Sequence, residues 1–398
     1  MIKNIDDYNF KNKKALVRVD FNVPMNHRNE ITDGRRIHKA RPTIDKIVRD
    51  GGIPIIISHL GRPNGMIKPK YSLRPVANFL EDLGYSVVYG YQSIGEEAEN
   101  AVNSAKVGDI VLLENLRYNI EERNNDADFC KSLAKLADVY VNDAFGTAHR
   151  AHASTYGVAS LFENRFCGYL LEKEIEFLGR TLENPKPPVV AIIGGAKISG
   201  KINIIENLFK ICDTILLGGG MMFTFYKALG YEIGGSILEV QHVELATKIL
   251  KIADELGKNI VLPLDVVVAN SFRNDAQFKT VSCEMIQRHD IGMDIGYKTQ
   301  DLFSNVILKA KTVIWNGPMG VFEMDNFARG TFEIAKSMVR ATEKGAITIV
   351  GGGDSASAIK KLNLVDKVSH LSTGGGASLE FMEGKVLPGI KALDVPEK

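Results

Sequence analysis

Short, continuously apolar runs recur along the chain, and longer stretches with helical spacing separate them. Because these runs do not alternate with polar residues, they predict strands that are buried on both faces, as in parallel sheets. Strands that alternate with helices predict an α/β fold. The predicted strands cover residues 15–19, 53–57, 110–113, 139–141, 189–193, 214–217, 260–262, 313–315 and 347–350.

A proline-rich segment marks the predicted boundary between two lobes. Residues 184–188 read NPKPP, and such a segment fits neither a helix interior nor a central strand. Just before it, residues 171–182 carry an apolar stripe at helical spacing, which predicts an amphipathic helix. We therefore expect two α/β lobes joined by a helix and a stiff linker.

The charge balance narrows the classes of partner. Among 398 residues, 49 Lys and Arg face 48 Asp and Glu, which leaves a net charge of +1. This balance argues against a protein that coats nucleic acid or an anionic membrane. The four cysteines form no CxxC pair, the N-terminus lacks the apolar core of a signal peptide, and no apolar run is long enough to span a bilayer. We expect a cytoplasmic protein with small-molecule partners, no nucleic acid and no membrane.

Arginine and glycine are unevenly distributed. Of 17 arginines, 13 lie at or before Arg180, whereas 24 of 37 glycines follow residue 188. Guanidinium groups bind carboxylates and phosphates, and glycine lets backbone N–H groups approach a phosphate closely. The asymmetry suggests one anionic ligand for each lobe.

Polar residues follow four predicted strands of the first lobe, where ligands of parallel sheets bind. We expect these residues to converge on one anion site. The four segments are Arg18-Val-Asp20-Phe21-Asn22, Ser58-His59-Leu60-Gly61-Arg62, Glu114-Asn115-Leu116-Arg117 and Asn142-Asp143, the last followed by His149-Arg150-Ala151-His152.

Strands of the second lobe end in glycine-rich turns that precede helices, an arrangement that binds phosphate through N–H groups and the helix dipole. In the turn that begins at Gly351, Asp354 is a candidate Mg²⁺ ligand and Ser355 a candidate helix cap. The turns begin at Gly194, Gly218, Gly351 and Gly374.

Three further patterns give little support for a metal site, a P-loop or a dinucleotide site. His149 and His152 form an HxxH pair, but no third metal ligand has a diagnostic spacing. Residues 195–201 fit GxxxxGK, yet Ile202 replaces the Ser or Thr that a P-loop needs for Mg²⁺. No GxGxxG follows a strand, so a dinucleotide site lacks its fingerprint.

Nine motifs, in order between residues 15 and 378, carry a family resemblance. The chain resembles the phosphoglycerate kinase family. The motifs are ALVRVDFNVP, SHLGRP, LLENLRYN, VNDAFGTAHRAHAST, GGAKISGKI, GGGMMFTF, WNGPMGVFE, GGGDSASA and STGGGAS.

The resemblance implies two Rossmann-like lobes, each a parallel sheet flanked by helices, which face each other across a hinged cleft. Residues 1–170 would form the phosphoglycerate-binding lobe, with the C-terminal segment 387–398 docking back onto it. Residues 171–188 would connect the lobes, and residues 189–386 would form the nucleotide-binding lobe. Family members are monomers by default, and we expect the same here.

The resemblance also implies the site residues. Substrate, 3-phosphoglycerate or 1,3-bisphosphoglycerate, would be bound by Asp20, Phe21, Asn22, Arg36, His59, Leu60, Gly61, Arg62, Arg117 and Arg150. Mg-ADP or Mg-ATP would be bound by Lys201, Gly292, Glu323, Gly352, Gly353, Asp354 and Ser355, with Asp354 as the Mg²⁺ ligand. The residues implied for catalysis are Arg36, Lys197, Lys201, Gly353 and Gly375.

The chain departs from the family pattern at two positions. Gly200 replaces an Asp that is common between the two family lysines, which leaves the position of Lys201 less defined, and Tyr297 stands where GPKT or GPET is usual. The pair Arg35-Arg36 offers two candidates for one role, and the motif R-I favours Arg36.

The implied reaction moves a phosphoryl group between the C1 carboxylate of 3-phosphoglycerate and the β-phosphate of ADP. A carboxylate nucleophile carries no proton at neutral pH, so the reaction requires positioning and charge neutralisation rather than a general base. Two alternatives remain: a two-lobed dehydrogenase, which would need the missing dinucleotide fingerprint, and a hinged solute-binding protein, which would need export.

Overall fold

The computed structural model describes residues 2–394, and Met1 and residues 395–398 lie outside the described residues. The chain divides into two compact units. The N-terminal unit runs to Ile175 and includes the segment from Val386 onward, and the C-terminal unit is Glu176–Lys385. The division falls inside the predicted connecting segment 171–188.

All nine predicted strands are confirmed within one residue at each end, and further strands appear between them. The strands are β1 (Lys14–Arg18), β2 (Ile53–Ile57), β3 (Ser86–Gly90), β4 (Asp109–Leu113), β5 (Val139–Asn142), β6 (Arg165–Cys167), β7 (Val189–Ile193), β8 (Thr214–Leu217), β9 (Asn259–Val261), β10 (Asp265–Ala269), β11 (Phe278–Ser282), β12 (Ile291–Ile295), β13 (Thr312–Asn316), β14 (Ile347–Gly351) and β15 (His370–Leu371).

Helices occupy the stretches between the strands, and short 3₁₀ turns join several of them. The helices are α1 (Arg35–Arg49), α2 (Arg74–Asp82), α3 (Glu96–Ser104), α4 (Glu121–Asn124), α5 (Ala127–Ala134), α6 (Tyr169–Glu174), α7 (Thr181–Glu183), α8 (Ile202–Leu208), α9 (Met222–Ala228), α10 (Val243–Glu255), α11 (Tyr297–Ile307), α12 (Arg329–Glu343), α13 (Gly353–Lys361), α14 (Gly376–Met382) and α15 (Pro388–Lys391).

The N-terminal unit is built on a six-stranded parallel sheet with the order β3-β4-β2-β1-β5-β6. Its central strands are apolar on both faces because helices cover both faces. Helix α1 presents Ile37, Ile44 and Ile47, all fully buried, to the core that contains Val17 and Ile56. The order puts the carboxyl ends of β4, β2, β1 and β5 side by side at one edge.

The C-terminal unit contains a second six-stranded parallel sheet, with the order β15-β14-β13-β7-β8-β9. Strand β7 is buried at every position and pairs with β8 and β13, so it lies at the centre. A separate antiparallel sheet with the order β11-β10-β12 completes this unit. The α/β prediction and the two helix-flanked parallel sheets are therefore confirmed.

The connecting segment is helical as predicted but not uniformly α-helical. Between α6 and α7, residues Ile175–Arg180 form a π-helix. The wider turn begins where the chain passes from one unit to the next. After α7, Lys186 is fixed to β13, because its N–H donates to the Thr312 hydroxyl (3.1 Å) and its carbonyl accepts from the same hydroxyl (2.9 Å).

The C-terminal segment packs with the N-terminal unit. The Gly389 N–H donates to the Ala148 carbonyl (2.8 Å), and Arg165 donates to the Asp394 carbonyl (2.8 Å). Among the described residues, no helix combines the length and the apolar character that crossing a bilayer would need.

Candidate active site

Arg36 is the arginine that faces the predicted anion site. It lies in the first turn of α1, where Nη1 donates to Asp20 Oδ2 (2.9 Å) and to the Asn22 carbonyl (3.0 Å). Its neighbour Arg35 instead pairs with Asp33. The structure therefore distinguishes two adjacent arginines that the sequence left as alternatives.

Backbone and amide groups tie the ends of three neighbouring strands together. The Gly61 N–H donates to Asn22 Oδ1 (2.9 Å), and the Gly61 carbonyl accepts from Arg117 Nη1 (2.7 Å). Gly61 has φ +61°, and an added Cβ would lie 2.3 Å from the Tyr71 ring. A side chain at position 61 would therefore both strain the backbone and collide with Tyr71.

Phe21 and Leu60, which the sequence predicts at the substrate site, are buried in the core of the N-terminal unit. The Phe21 N–H donates to the Ser58 hydroxyl (2.9 Å), and the Leu60 N–H donates to Asn115 Oδ1 (3.1 Å). These two residues shape the loops that carry Asn22 and Gly61, and neither is among the residues that line the arginine-rich pocket described next.

A pocket of about 360 Å³ lies next to these loops, within the N-terminal unit. Its size suits a small phosphorylated acid, and four of its six lining residues are arginines. The lining residues are Arg62, Asn64, Arg117, Arg123, Arg150 and His152.

The cations of this pocket repel one another. Burial, together with Arg150 and Arg18, lowers the pKa of Arg117 to about 10. Arg117 is 6% exposed, and its buried Nε has no hydrogen-bond partner among the described residues. A bound anion would relieve the repulsion and supply the missing acceptor.

Two histidines beside the arginines are held neutral. Burial and the surrounding arginines lower the pKa of His152 to about 3, and the same causes put the pKa of His59 well below its usual value. A neutral imidazole adds a hydrogen-bond donor to the pocket without adding charge. His149 accepts a hydrogen bond from Arg150 Nε (3.1 Å).

In the C-terminal unit, glycine turns lie at the carboxyl ends of β7, β8 and β13, where the backbones touch. An added Cβ at Gly194 would lie 2.1 Å from the Pro318 carbonyl oxygen, and one at Gly219 would lie 2.5 Å from the Gly195 nitrogen. One at Gly317 would lie 2.3 Å from the Gly194 carbonyl oxygen. Only glycine fits at these three positions, so the turns form one rigid backbone surface.

Lys201 and Asn316 meet at the edge of this surface. Lys201 Nζ donates to Asn316 Oδ1, and the buried Asn316 Nδ2 has no partner among the described residues. Burial lowers the pKa of Lys201 to about 8, although the carboxylate of Asp354 opposes the shift. An ammonium and an amide with an unpaired N–H group therefore lie together beside the glycine turns.

Helix α13 begins beside this pair. Its first-turn N–H groups are those of Gly353, Asp354 and Ser355, and the preceding Gly352 has φ +84° and makes no capping hydrogen bond. The prediction that Ser355 caps the helix is wrong. Ser355 is buried, and its hydroxyl accepts the Gly317 N–H (2.6 Å), because the glycine turn after β13 offers a donor that the helix does not.

Asp354 is the residue that the sequence predicts as a Mg²⁺ ligand. It is exposed in the first turn of α13, and Mg²⁺ commonly takes one or two carboxylates and completes its shell with phosphate and water oxygens. Within residues 2–394, no cluster of three or more His, Cys, Asp or Glu side chains could hold a metal unaided.

The remaining predicted nucleotide residues lie around these turns. Gly292 is in β12, where an added Cβ would overlap the Phe223 ring. Glu323 is exposed, and its segment is held to β12 by a hydrogen bond from the Val321 N–H to the Met293 carbonyl (2.9 Å). Gly375, with φ +50°, precedes α14. Lys197 is exposed in the turn between β7 and α8. Among the described residues, no hydrogen bond or ion pair is seen between Lys201 and either Gly292 or Glu323.

The predicted site residues did not include several groups that the structure adds. Arg18, which opens one of the segments expected at the anion site, and Asn316 are the last residues of β1 and β13 and stand inside the quoted motifs, so their position was a usable signal. Arg123 lines the arginine pocket from α4, and its sequence context gives no such signal.

The comparisons with known proteins agree across the whole chain. A sequence model of the family described as phosphoglycerate kinase matches residues 5–385. The phosphoglycerate kinase of Chlorobium luteolum is 51% identical over 393 residues, which cover 98% of this chain and 99% of that protein. That of Chloroherpeton thalassium is 52% identical over 392 residues, 98% of each chain.

Solved structures lead to the same family. The phosphoglycerate kinase of Coxiella burnetii superposes with a TM-score of 0.90 at 39% identity and covers 99% of both chains. That of Pyrococcus horikoshii gives a TM-score of 0.83 at 31% identity over 98% of both chains. With its arginine pocket and its glycine-lined turns, the chain belongs to the phosphoglycerate kinase family.

Proposed function

We infer that this chain catalyses the reaction of its family, reversible phosphoryl transfer from 1,3-bisphosphoglycerate to Mg-ADP, which gives 3-phosphoglycerate and ATP. The observation that carries this inference is the arginine pocket, where four guanidinium groups surround a space of about 360 Å³. Such a concentration of positive charge favours a small polyanion over a neutral ligand.

The N-terminal unit is assigned to the phosphoglycerate. Arg62, Arg117 and Arg150 would bind its phosphate, and Arg36 would contact the transferring phosphoryl group near Asp20 and Asn22. His59 would donate a hydrogen bond to an anionic oxygen. Phe21, Leu60 and Gly61 would contribute only through the backbone that positions these groups, which is supported by the burial of the two apolar side chains.

The C-terminal unit is assigned to the nucleotide. Lys201, with Asn316, would bind nucleotide phosphate, and Lys197 would meet the transferring phosphoryl group. The N–H groups of Gly353 and Gly375 would stabilise charge on its oxygens. Mg²⁺ would be held by Asp354 together with the nucleotide phosphates. The adenosine would contact Gly292 and Glu323, with Gly352 and Ser355 shaping the phosphate loop.

The proposed mechanism needs no general base, because a carboxylate attacks or leaves without a proton. Bound Mg²⁺ supplies charge that neutralises phosphate oxygens. The protein's part is to align donor and acceptor and to keep cations at the transferring group. Since each ligand is assigned to its own unit, transfer also requires closure about residues 171–188, which would exclude water from the acyl phosphate.

Ligand titration tests the substrate assignment. We expect calorimetry to detect binding of 3-phosphoglycerate and ADP, with little binding of glycerate, which lacks the phosphate, or of NADH. Equal binding of glycerate and 3-phosphoglycerate would contradict the assignment of the arginine pocket to phosphate.

We further propose that the protein acts as a cytoplasmic monomer.

The nucleotide assignment predicts a pH dependence. Because the pKa of Lys201 is about 8, the free protein loses this ammonium as the pH rises through 8. Phosphate binding favours the protonated form, so the Kd for Mg-ADP should increase by about tenfold between pH 7 and pH 9. In Lys201→Arg the guanidinium stays charged, and the slope should disappear. A slope that persists in Lys201→Arg would assign the titration to another group.

A further inference from the structure

A buried carboxylate lies behind the arginine pocket and has no part in the mechanism above. Glu122, in α4, is fully buried. Its Oε1 accepts the Ser154 hydroxyl at 2.6 Å, and its Oε2 accepts the Ser154 N–H at 2.9 Å. Both oxygens therefore hold one serine, which comes from a segment 32 residues away along the chain.

Ser154 in turn holds Arg18. Since the serine hydroxyl donates its proton to Glu122, its oxygen is left to accept, and it accepts from Arg18 Nε at 2.8 Å. The Ser154 carbonyl accepts the Tyr140 hydroxyl at 2.8 Å, which fixes the serine from a second side. Arg18 is 1% exposed, so its orientation depends on these neighbours rather than on solvent.

Arg18 decides which nitrogen of His59 carries the proton. Arg18 Nη2 lies 3.1 Å from His59 Nδ1. A guanidinium group only donates, so Nδ1 must accept, and a neutral imidazole then carries its proton on Nε2. Asp20 Oδ1, at 3.9 Å from Nδ1, is beyond hydrogen-bond distance. The arrangement leaves His59 with one N–H, at Nε2, for a ligand.

We propose that Glu122 and Ser154 are positioning residues that, through Arg18, hold His59 as the Nε2–H tautomer that donates to an anionic oxygen of the phosphoglycerate. This proposal rests on the proposed function. A carboxylate suits position 122 because it accepts the Ser154 hydroxyl proton and so orients that proton away from Arg18. It also balances the charge of a buried guanidinium, which a neutral residue would not.

The test uses Glu122→Gln and Ser154→Ala in the full chain. The matched control is Asp265→Asn in the C-terminal unit. Asp265 is also buried and holds a neighbour in the same way, because its Oδ1 accepts the Thr299 hydroxyl (2.6 Å) and the Thr299 N–H (2.9 Å). It therefore reports the effect of losing a buried carboxylate that is not connected to His59 by the bonds described above.

Two readouts separate positioning from a structural role. We expect both test variants to raise the KM for 3-phosphoglycerate by about tenfold while the KM for Mg-ATP stays unchanged. We expect the ¹⁵N imidazole signals of His59, assigned with His59→Gln, to shift in both variants and to stay in place in Asp265→Asn. Ser154→Thr keeps the hydroxyl, so its KM for 3-phosphoglycerate should stay close to that of the wild type.

Folded variants that leave the His59 signals unchanged would overturn the proposal. So would equal increases in both KM values that the Asp265→Asn control reproduces. If the wild type bound ADP but did not turn over 3-phosphoglycerate, the proposed function would fail separately. The His59 tautomer in Glu122→Gln and Ser154→Ala would then decide the positioning claim by itself.

Discussion

Arg36→Ala should lower kcat for 3-phosphoglycerate phosphorylation by about 10²–10³-fold, the loss typical of one preorganised donor to a developing charge. The substitution removes the cation that pairs with Asp20 (2.9 Å) and leaves this carboxylate without its ion-pair partner beside an anionic substrate. Binding of Mg-ADP should be unaffected, because the nucleotide is assigned to the other unit. Steady-state kinetics and calorimetry on the same preparation measure both quantities.

Arg35→Ala is the matched control for this prediction. Arg35 precedes Arg36 in the same helical turn and pairs with Asp33, so its loss removes an equal charge from the same helix. We expect Arg35→Ala to keep near wild-type kcat. Comparable losses in the two variants would mean that net charge, rather than the geometry of Arg36, limits the reaction.

Gly194→Ala should strongly destabilise the C-terminal unit. The added Cβ would lie 2.1 Å from the Pro318 carbonyl oxygen and 2.7 Å from that of Gly317, and both are backbone atoms that side-chain rotation cannot move. Overpacking of this kind costs about 3 kcal/mol of unfolding free energy. A displacement of about 1 Å in the glycine turns should also weaken Mg-ADP binding by about a hundredfold.

Gly200→Ala provides the comparison for Gly194→Ala. An added Cβ at Gly200 would meet nothing within 4 Å, and Gly200 is not among the residues with positive φ. We expect a gain of about 0.4–1 kcal/mol from the reduced entropy of the unfolded chain, with activity retained. Chemical unfolding and ADP titration of both variants test the pair. Similar stability in the two variants would contradict the close backbone packing.

Continuous apolar burial made strand β7 predictable from the sequence, and its absence hid strands β3 and β11. Strand β7 is buried at all five positions and is apolar throughout, so its pattern had one interpretation. Strand β3 is an edge strand with a single buried position, and β11 is exposed along nearly all its length. Such strands form because they pair with neighbouring strands, and the local pattern of apolar and polar residues does not indicate this pairing.

The site was predictable where its residues directly follow strands. His59 and Arg117 lie in the loops that follow β2 and β4, and the sheet order brings these loops together. Glu122 and Ser154 form their contact across 32 residues, and both are buried polar groups that satisfy each other. Helix α4 carries Glu122 and a π-helical turn, Ala153–Gly157, carries Ser154, so only tertiary structure shows that they are partners. The same limit explains Ser355, whose hydroxyl binds Gly317 rather than its own helix.

One assay tests the central claim most directly. The purified chain is supplied with 3-phosphoglycerate, Mg-ATP, excess glyceraldehyde-3-phosphate dehydrogenase and NADH, and NADH absorbance is followed. We predict a loss of absorbance that requires 3-phosphoglycerate, is absent with glycerate and collapses in Arg36→Ala but not in Arg35→Ala. A folded wild-type protein that binds ADP yet oxidises no NADH would contradict the account.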